Sequence, residues 1–183
     1  MRPQITGGDD LESIVLGGGC FWCVEGAIKG LRGVIDVVPG YSGGHVENPT
    51  YEQVCGKRTG HAEVVKVTFD PSSIDRIAIL EVFFTCHDPT QLNRQGNDIG
   101  PQYRSAVFYS NEGQRQDTIQ VIETLTDAFD EDIVTEVSPL ENFYNAESYH
   151  HDYFENNPSN PYCMMVVAPK IAKTRAKHAH LYE

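Results

Sequence analysis

Two thiols, with two large aromatics between them, stand directly behind a run of glycines: Gly17-Gly18-Gly19-Cys20-Phe21-Trp22-Cys23. An apolar strand pattern, Ser13-Ile14-Val15-Leu16, precedes this stretch, and a helical one, Val24-Glu25-Gly26-Ala27-Ile28, follows it. Glycines let the backbone turn tightly and approach a ligand closely. Cys20 therefore falls at a helix start, where unpaired N–H groups and the positive end of the dipole favour an anion. A thiol so placed is expected to have a lowered pKa and to react as a thiolate. Phe21 and Trp22 occupy positions that a solvated helix start would fill with polar residues, and they give the thiol an apolar cup.

Cys20-x-x-Cys23 by itself fits a thioredoxin-type dithiol, half of a zinc site, or chance. Zinc needs two further ligands at useful spacing. No second Cys-x-x-Cys exists, and His150-His151 and Cys86-His87 lack a suitable pattern, so neither a metal nor another cofactor is expected. A thioredoxin fold is disfavoured because its redox motif usually holds small residues or proline between the cysteines. Phe21-Trp22 would obstruct a broad protein disulfide and suit a small apolar group. A hydrolytic Cys–His pair is the other option. His61 and His87 are the best-placed candidates by loop position, and a satisfied structural role is favoured for both.

The further acid candidate is Glu63. In the pattern His61-Ala62-Glu63-Val64-Val65-Lys66-Val67-Thr68-Phe69, side chains alternate between faces, so Glu63 shares one with Val65, Val67 and Phe69. A carboxylate on the apolar side loses water, its pKa rises, and it suits proton donation at neutral pH. The alternative is a frayed strand end with Glu63 in water; periodicity alone does not choose.

These groups must be positioned by elements. Residues 12–17 read as a strand, 20–30 as a helix, 33–41 as a strand whose far end Pro39 limits, and 61–69 as a third strand. Ile77, Leu80 and Phe84 mark a helix over 74–86, in which Cys86 is a small core residue. A strand follows at 104–110, and Asn111 with Gln114 caps a helix that buries Ile119, Ile122, Leu125 and Phe129. A further strand at 133–137, a helix at 145–156 carrying Tyr149, Tyr153 and Phe154, and a basic last helix from Lys170 complete the chain. Residues 42–60 and 87–103 read as two long polar loops, unusual inside a compact domain and often functional. The order β-α-β, loop, β-α-β predicts an α+β fold, a ferredoxin-like split βαβ sheet with additional helices and long functional loops. Both loops leave from strand ends, so they could meet over Cys20.

Length, 183 residues, suits one domain, with residues 1–11 as a flexible tail. Net charge is −12 and the sequence pI is near 4.9, which argues against nonspecific binding to nucleic acid or an anionic membrane. No apolar run reaches bilayer length, and the N-terminus lacks a signal-peptide core, so a cytoplasmic monomer is expected. The odd count of cysteines, Cys20, Cys23, Cys55, Cys86 and Cys163, is not a disulfide scaffold.

Gly19-Cys20-Phe21-Trp22, Gly40-Tyr41-Ser42-Gly43-Gly44, Asn48-Pro49-Thr50-Tyr51, Gly60-His61-Ala62-Glu63, His87-Asp88-Pro89-Thr90, Arg94-Gln95-Gly96-Asn97-Asp98 and Gln102-Tyr103-Arg104-Ser105 resemble, in order, the A-type peptide methionine sulfoxide reductases. The resemblance runs from about residue 13 to 163 and implies an α+β sheet of the ferredoxin-like kind. It implies that Cys20 is the nucleophile on the sulfoxide sulfur and that Phe21 and Trp22 hold the S-methyl group. Glu63 then protonates the sulfoxide oxygen, Tyr51 and Tyr103 hydrogen-bond it, and Asp98 lines the same pocket. Donors aimed at an oxygen that gains negative character stabilise the transition state more than the ground state. The product would be methionine and a sulfenic acid on Cys20, which condenses with a nearby thiol.

Cys163 matches the resolving cysteine, and the Cys20–Cys163 disulfide would be reduced by thioredoxin. Many members have glycine at the Cys23 position, and some carry a glycine-rich tail with another cysteine; this chain has neither. Cys23 is thus the rival resolver, with Cys163 favoured, and Cys55 is taken as non-catalytic. The expected substrate is the S epimer of methionine sulfoxide, free or in peptides and proteins, and the expected role is protein repair after oxidative damage. A redox-sensing or binding module that keeps the pocket without cycling is the rival class; release of methionine in one turnover with dithiothreitol separates the two.

Overall fold

In the computed structural model, which describes residues 11–182, the run of apolar residues at 14–16 lies in the middle of a six-stranded sheet. The strands are β1 (Glu12–Gly17), β2 (Val34–Ser42), β3 (Ala62–Phe69), β6 (Ala106–Tyr109), β7 (Glu136–Pro139) and β8 (Tyr144–Asn145), in the order β7-β6-β1-β3-β2-β8. Two more strands, β4 (Arg94–Gln95) and β5 (Asp98–Ile99), form a separate hairpin. Neighbours in the sheet are antiparallel except β6 and β7, which are parallel. Helix α1 (Phe21–Ile28) crosses from β1 to β2 with β3 inserted between them, and α3 (Arg76–Thr85) crosses from β3 to β6. This is the split βαβ arrangement expected from the element order. The remaining helices are α2 (Tyr51–Cys55), α4 (Glu112–Leu125), α5 (Tyr153–Asn156) and α6 (Ala168–Lys177).

Alternation along the strands divides the core between the two faces of the sheet. Ile14, Leu16, Val65, Val67 and Phe69 bury with α1 and α3 in the main core. Val15, Ala62, Val64, Ala106 and Phe108 turn to the other face, under Leu140 and Phe143. No described helix is long and apolar enough to cross a membrane.

Several expectations change. The strand expected at 33–41, with Pro39 limiting its far end, runs over Val34–Ser42, and Pro39 does not limit it. The Pro39 carbonyl accepts Ala146 N–H at 2.9 Å, so the missing Pro N–H points to the same outer edge and breaks no bond to β3. The loop 42–60 contains α2, which starts at a capping box: Thr50 accepts from Gln53 N–H, and the Gln53 side chain accepts from Thr50 N–H. The loop 87–103 contains the β4–β5 hairpin and a 3-10 turn, Pro101–Tyr103. The strand expected at 133–137 lies at Glu136–Pro139, where it pairs with β6.

The helix expected over 145–156 does not form as one element. It resolves into the end of β8, a 3-10 turn at Ser148–His150, a left-handed Asp152 (φ 55°) and the short α5. Partly buried hydrogen bonds to Glu147 and Glu25 hold this segment in place of helical periodicity. The expected N-terminal tail falls, apart from Leu11, outside the described residues.

Candidate active site

Cys20 caps α1 without a side-chain hydrogen bond to the helix N–H groups and follows Gly19, whose φ of +86° is a left-handed conformation that glycine adopts without strain. The turn is also tightly packed. A Cβ on Gly18 would lie 2.8 Å from the His87 ring, and one on Gly19 2.8 Å from Gln95 Cγ. Gly18 is therefore required by shape, and Gly19 by shape and dihedral angle.

The expected activation of Cys20 by the helix start is not what the geometry provides. The first N–H of α1, from Phe21, donates to Glu63 Oε1 at 3.2 Å. Cys20 is only 8% exposed, and burial, then its hydrogen bond to Cys23, then the Glu63 charge push its thiol well above the ordinary value. Cys23, the partner in that hydrogen bond, is held below it. In the resting chain the Phe21 N–H serves the carboxyl group, the Trp22 N–H lowers the Cys20 pKa by less than burial raises it, and the thiol keeps its proton.

Glu63 lies on the apolar face of β3, opposite Tyr41 in the register of β2. It is buried rather than frayed into water, which settles the alternative left open by periodicity. Burial raises its pKa to about 8; the Phe21 N–H works against this and the Asp98 charge works with it. The carboxyl is thus mostly protonated at neutral pH. Tyr51 begins α2, and Tyr103 ends the 3-10 turn after the β4–β5 hairpin. Burial, then the Glu63 charge, raises the pKa of both phenols, which keeps them donors. Asp98, on β5, accepts a hydrogen bond from Tyr162 Oη. The two long loops thus converge on α1.

Phe21 is buried against Tyr41, Tyr51 and His150, with ring centroids 5.8, 6.5 and 5.0 Å away. Trp22 is half-buried, stacks on Tyr153 at 3.8 Å and meets Tyr162 edge-on at 5.9 Å. Its Nε1–H donates to His150 Nδ1 at 3.1 Å. Burial lowers the His150 pKa, which keeps that acceptor lone pair free. His150 was not singled out from the sequence as a site residue. The signal available was a histidine doublet flanked by tyrosines, and its only reading was as a poor zinc ligand. Among the described residues no group of three or more His, Cys, Asp or Glu side chains is arranged to hold a metal ion.

Glu147 and Glu25 were also missed. Glu147 accepts from Tyr41 Oη at 2.9 Å and from Tyr51 N–H at 2.8 Å, pinning α2 to the sheet. Glu25, buried in α1, accepts Asp152 N–H at 2.9 Å and fixes the segment that carries His150 and Tyr153.

Cys163 is fully buried, and its N–H donates to Asn160 Oδ1 at 3.2 Å. Burial, then the neighbouring Cys23, raises its thiol pKa. Cys20, Cys23 and Cys163 share one core cluster, with Cys23 against Cys20. Cys55 is half-buried on α2 beside Tyr51.

Both histidines considered for a Cys–His pair are occupied elsewhere. His61 Nδ1 accepts Gly44 N–H at 3.0 Å, and its Nε2 bonds the Val46 carbonyl at 2.7 Å. His87 bonds the Phe83 carbonyl and Ser105 Oγ, at 2.8 and 2.7 Å. A separate cleft of about 460 Å³, lined by Cys86, His87, Gln95, Phe129, Lys170 and Lys173, opens near this turn and holds none of the site residues named in the sequence.

A family model for peptide methionine sulfoxide reductase matches residues 12–182. A peptide methionine sulfoxide reductase MsrA of Saccharolobus solfataricus is 55% identical over 163 residues, covering 89% of this chain and 92% of the relative. The crystal structure of Mxr1 from Saccharomyces cerevisiae in reduced form superposes with a TM-score of 0.80 at 34% identity, covering 85% of this chain and 90% of that one. Methionine sulfoxide reductase A of Corynebacterium diphtheriae gives the same score and identity, covering 87% and 79%. The chain belongs to the peptide methionine sulfoxide reductase family, as an enzyme of the MsrA kind.

Proposed function

We propose that this single catalytic domain reduces the S epimer of methionine sulfoxide, free or in proteins, with Cys20 as nucleophile and Glu63 as proton donor. The observation that carries the reading is the Glu63 carboxyl, buried with a buried thiol and an aromatic cup, where desolvation raises its pKa to about 8. The substrate methyl packs against Phe21 and Trp22, where rings favour sulfur and methyl contacts. Its oxygen meets Glu63 with the hydroxyls of Tyr51 and Tyr103, and Asp98 holds Tyr162 at the rim. Glu63 gives its proton to the sulfoxide oxygen and takes up the Cys20 proton in exchange, and the thiolate attacks the sulfur. The oxygen ends on Cys20 as a sulfenic acid and methionine leaves.

A second thiol then condenses with the sulfenic acid, releasing water and forming a disulfide. Cys163 is proposed for this step, supported by its burial in the same core as Cys20 and by the neighbouring Cys23 that acts on its thiol. A second reading, favoured by the hydrogen bond between Cys20 and Cys23, makes Cys23 the first partner. Thioredoxin is the proposed reductant, supported by a structure of yeast Mxr1 in complex with Trx2.

Replacing Cys20 by Ser is expected to abolish release of methionine; retained turnover would remove Cys20 from the role. Peptide mapping after one turnover without reductant decides the resolver. A Cys20–Cys163 linkage supports the first assignment, and a Cys20–Cys23 linkage replaces it.

A further inference from the structure

The chain has three methionines, Met1, Met164 and Met165, and Met1 lies outside the described residues. Methionine usually fills gaps in cores. Met164 and Met165 instead are 58% and 79% exposed, while Cys20, Cys23 and Cys163 are all buried. A diffusing oxidant therefore meets the two thioethers before it meets the thiols that begin and complete turnover.

The backbone that carries them departs from α-helical pairing, although Met164 N–H donates to the Asn160 carbonyl at 2.9 Å. Cys163–Val167 is a π-helical turn, in which Ala168 N–H reaches back five residues to the Cys163 carbonyl. Pro169, in the first turn of α6, has no N–H to offer the Met165 carbonyl four residues earlier. A segment short of regular pairing opens more readily than the helices around it. The site of the same chain lies out of reach: Tyr162 is packed edge-on against Trp22 and hydrogen-bonded to Asp98, which holds the segment with its methionines outward.

We propose that Met164 and Met165 are oxidation sites on the enzyme's own surface, repaired by the Cys20 site of a second copy of the chain. This rests on the function proposed above. In the first step a peroxide transfers one oxygen to the thioether sulfur; sulfur is oxidised by two electrons and the peroxide is reduced to water or an alcohol. In the second, Cys20 of another copy takes that oxygen as a sulfenic acid and frees the thioether. The oxygen leaves as water when a second thiol forms the disulfide, and an external dithiol reduces that disulfide.

The test uses the Cys20→Ser protein as the substrate copy, since it cannot repair itself. It is treated with hydrogen peroxide under native conditions, the peroxide is removed with catalase, and peptides are weighed. Met164 and Met165 are expected to gain one oxygen each at a rate within about threefold of N-acetylmethionine amide, as exposed thioethers should. Catalytic wild-type enzyme with dithiothreitol is then added, with free methionine-S-sulfoxide in the same tube as a control. About half of the added oxygen should disappear, because peroxide makes both epimers and this kind of enzyme takes one. Native uptake more than about tenfold slower than the amide overturns the oxidation site. Unchanged peptide mass while the free sulfoxide is consumed overturns repair by a second copy. If the free sulfoxide also persists, the proposed function falls and the repair step with it. Met164→Leu with Met165→Leu should take up no oxygen in this segment and turn over free sulfoxide normally; loss of that turnover would overturn an oxidation site separate from the catalytic machinery.

Discussion

A carboxyl that gives up a proton at neutral pH must first hold it there, and burial does this for Glu63. Its pKa of about 8 sets the direction of the pH profile: the donor form is present below about 8 and is lost as pH rises through it. Turnover should fall on that limb. Glu63→Gln should lower kcat by about 100-fold, within the usual range for a positioned acid, and remove the limb. A wild-type limb that survives in the variant would assign it to another group. Trp22 offers a second test because it is the sole tryptophan. His150→Phe removes the acceptor of its indole N–H. Loss of one hydrogen bond of about 1 kcal/mol should raise KM by about fivefold and shift the intrinsic fluorescence. His150→Gln, which restores an acceptor, should recover part of both.

At the scale of elements, the site is assembled from short pieces that carry little stability of their own. Helix α2 has five residues, too few to persist alone, and its capping box and the Glu147 bridge hold Tyr51 in place. Thr50→Ala should cost about 1 kcal/mol, seen as a lower denaturant midpoint with an unchanged m-value. It should also reduce kcat through Tyr51 while leaving the pH limb of Glu63 in place. An unchanged midpoint would show that Glu147 alone fixes the helix. The segment with His150 and Tyr153 depends likewise on one partly buried contact, from Glu25 to Asp152 N–H.

For the whole molecule, the same buried acids make stability depend on pH. Folded Glu63 keeps its proton to about pH 8, whereas an unperturbed glutamate loses it near about 4.3. Unfolding between these values releases that proton, so raising the pH through the window favours the unfolded chain. Glu25, raised by burial to about 7, acts in the same direction over a narrower range. Unfolding free energy from urea titrations should therefore decrease from pH 6 to pH 8. Glu63→Gln should flatten this dependence, removing most of the roughly 2 kcal/mol that the wild type loses through this group between pH 6 and pH 8. An equally steep decrease in the variant would place the linkage elsewhere.

Where the answer depended on local pattern, the amino-acid order was sufficient. Strand alternation put Glu63 on the face of Val65, Val67 and Phe69, and the glycine turn put Cys20 at a helix start, because both are governed by residues within a few positions. The element order carried the split βαβ topology for the same reason, since each crossover joins neighbouring elements. What periodicity could not carry was segment 145–156, whose Glu147 and Asp152 bond to Tyr41, Tyr51 and Glu25, distant in sequence, and so obey no repeat. The state of the central thiol was likewise invisible. A helix start by itself lowers a thiol pKa, but the donated N–H went to Glu63 and burial outweighed the dipole. Desolvation is set by everything packed around a group, and only the tertiary structure determines it.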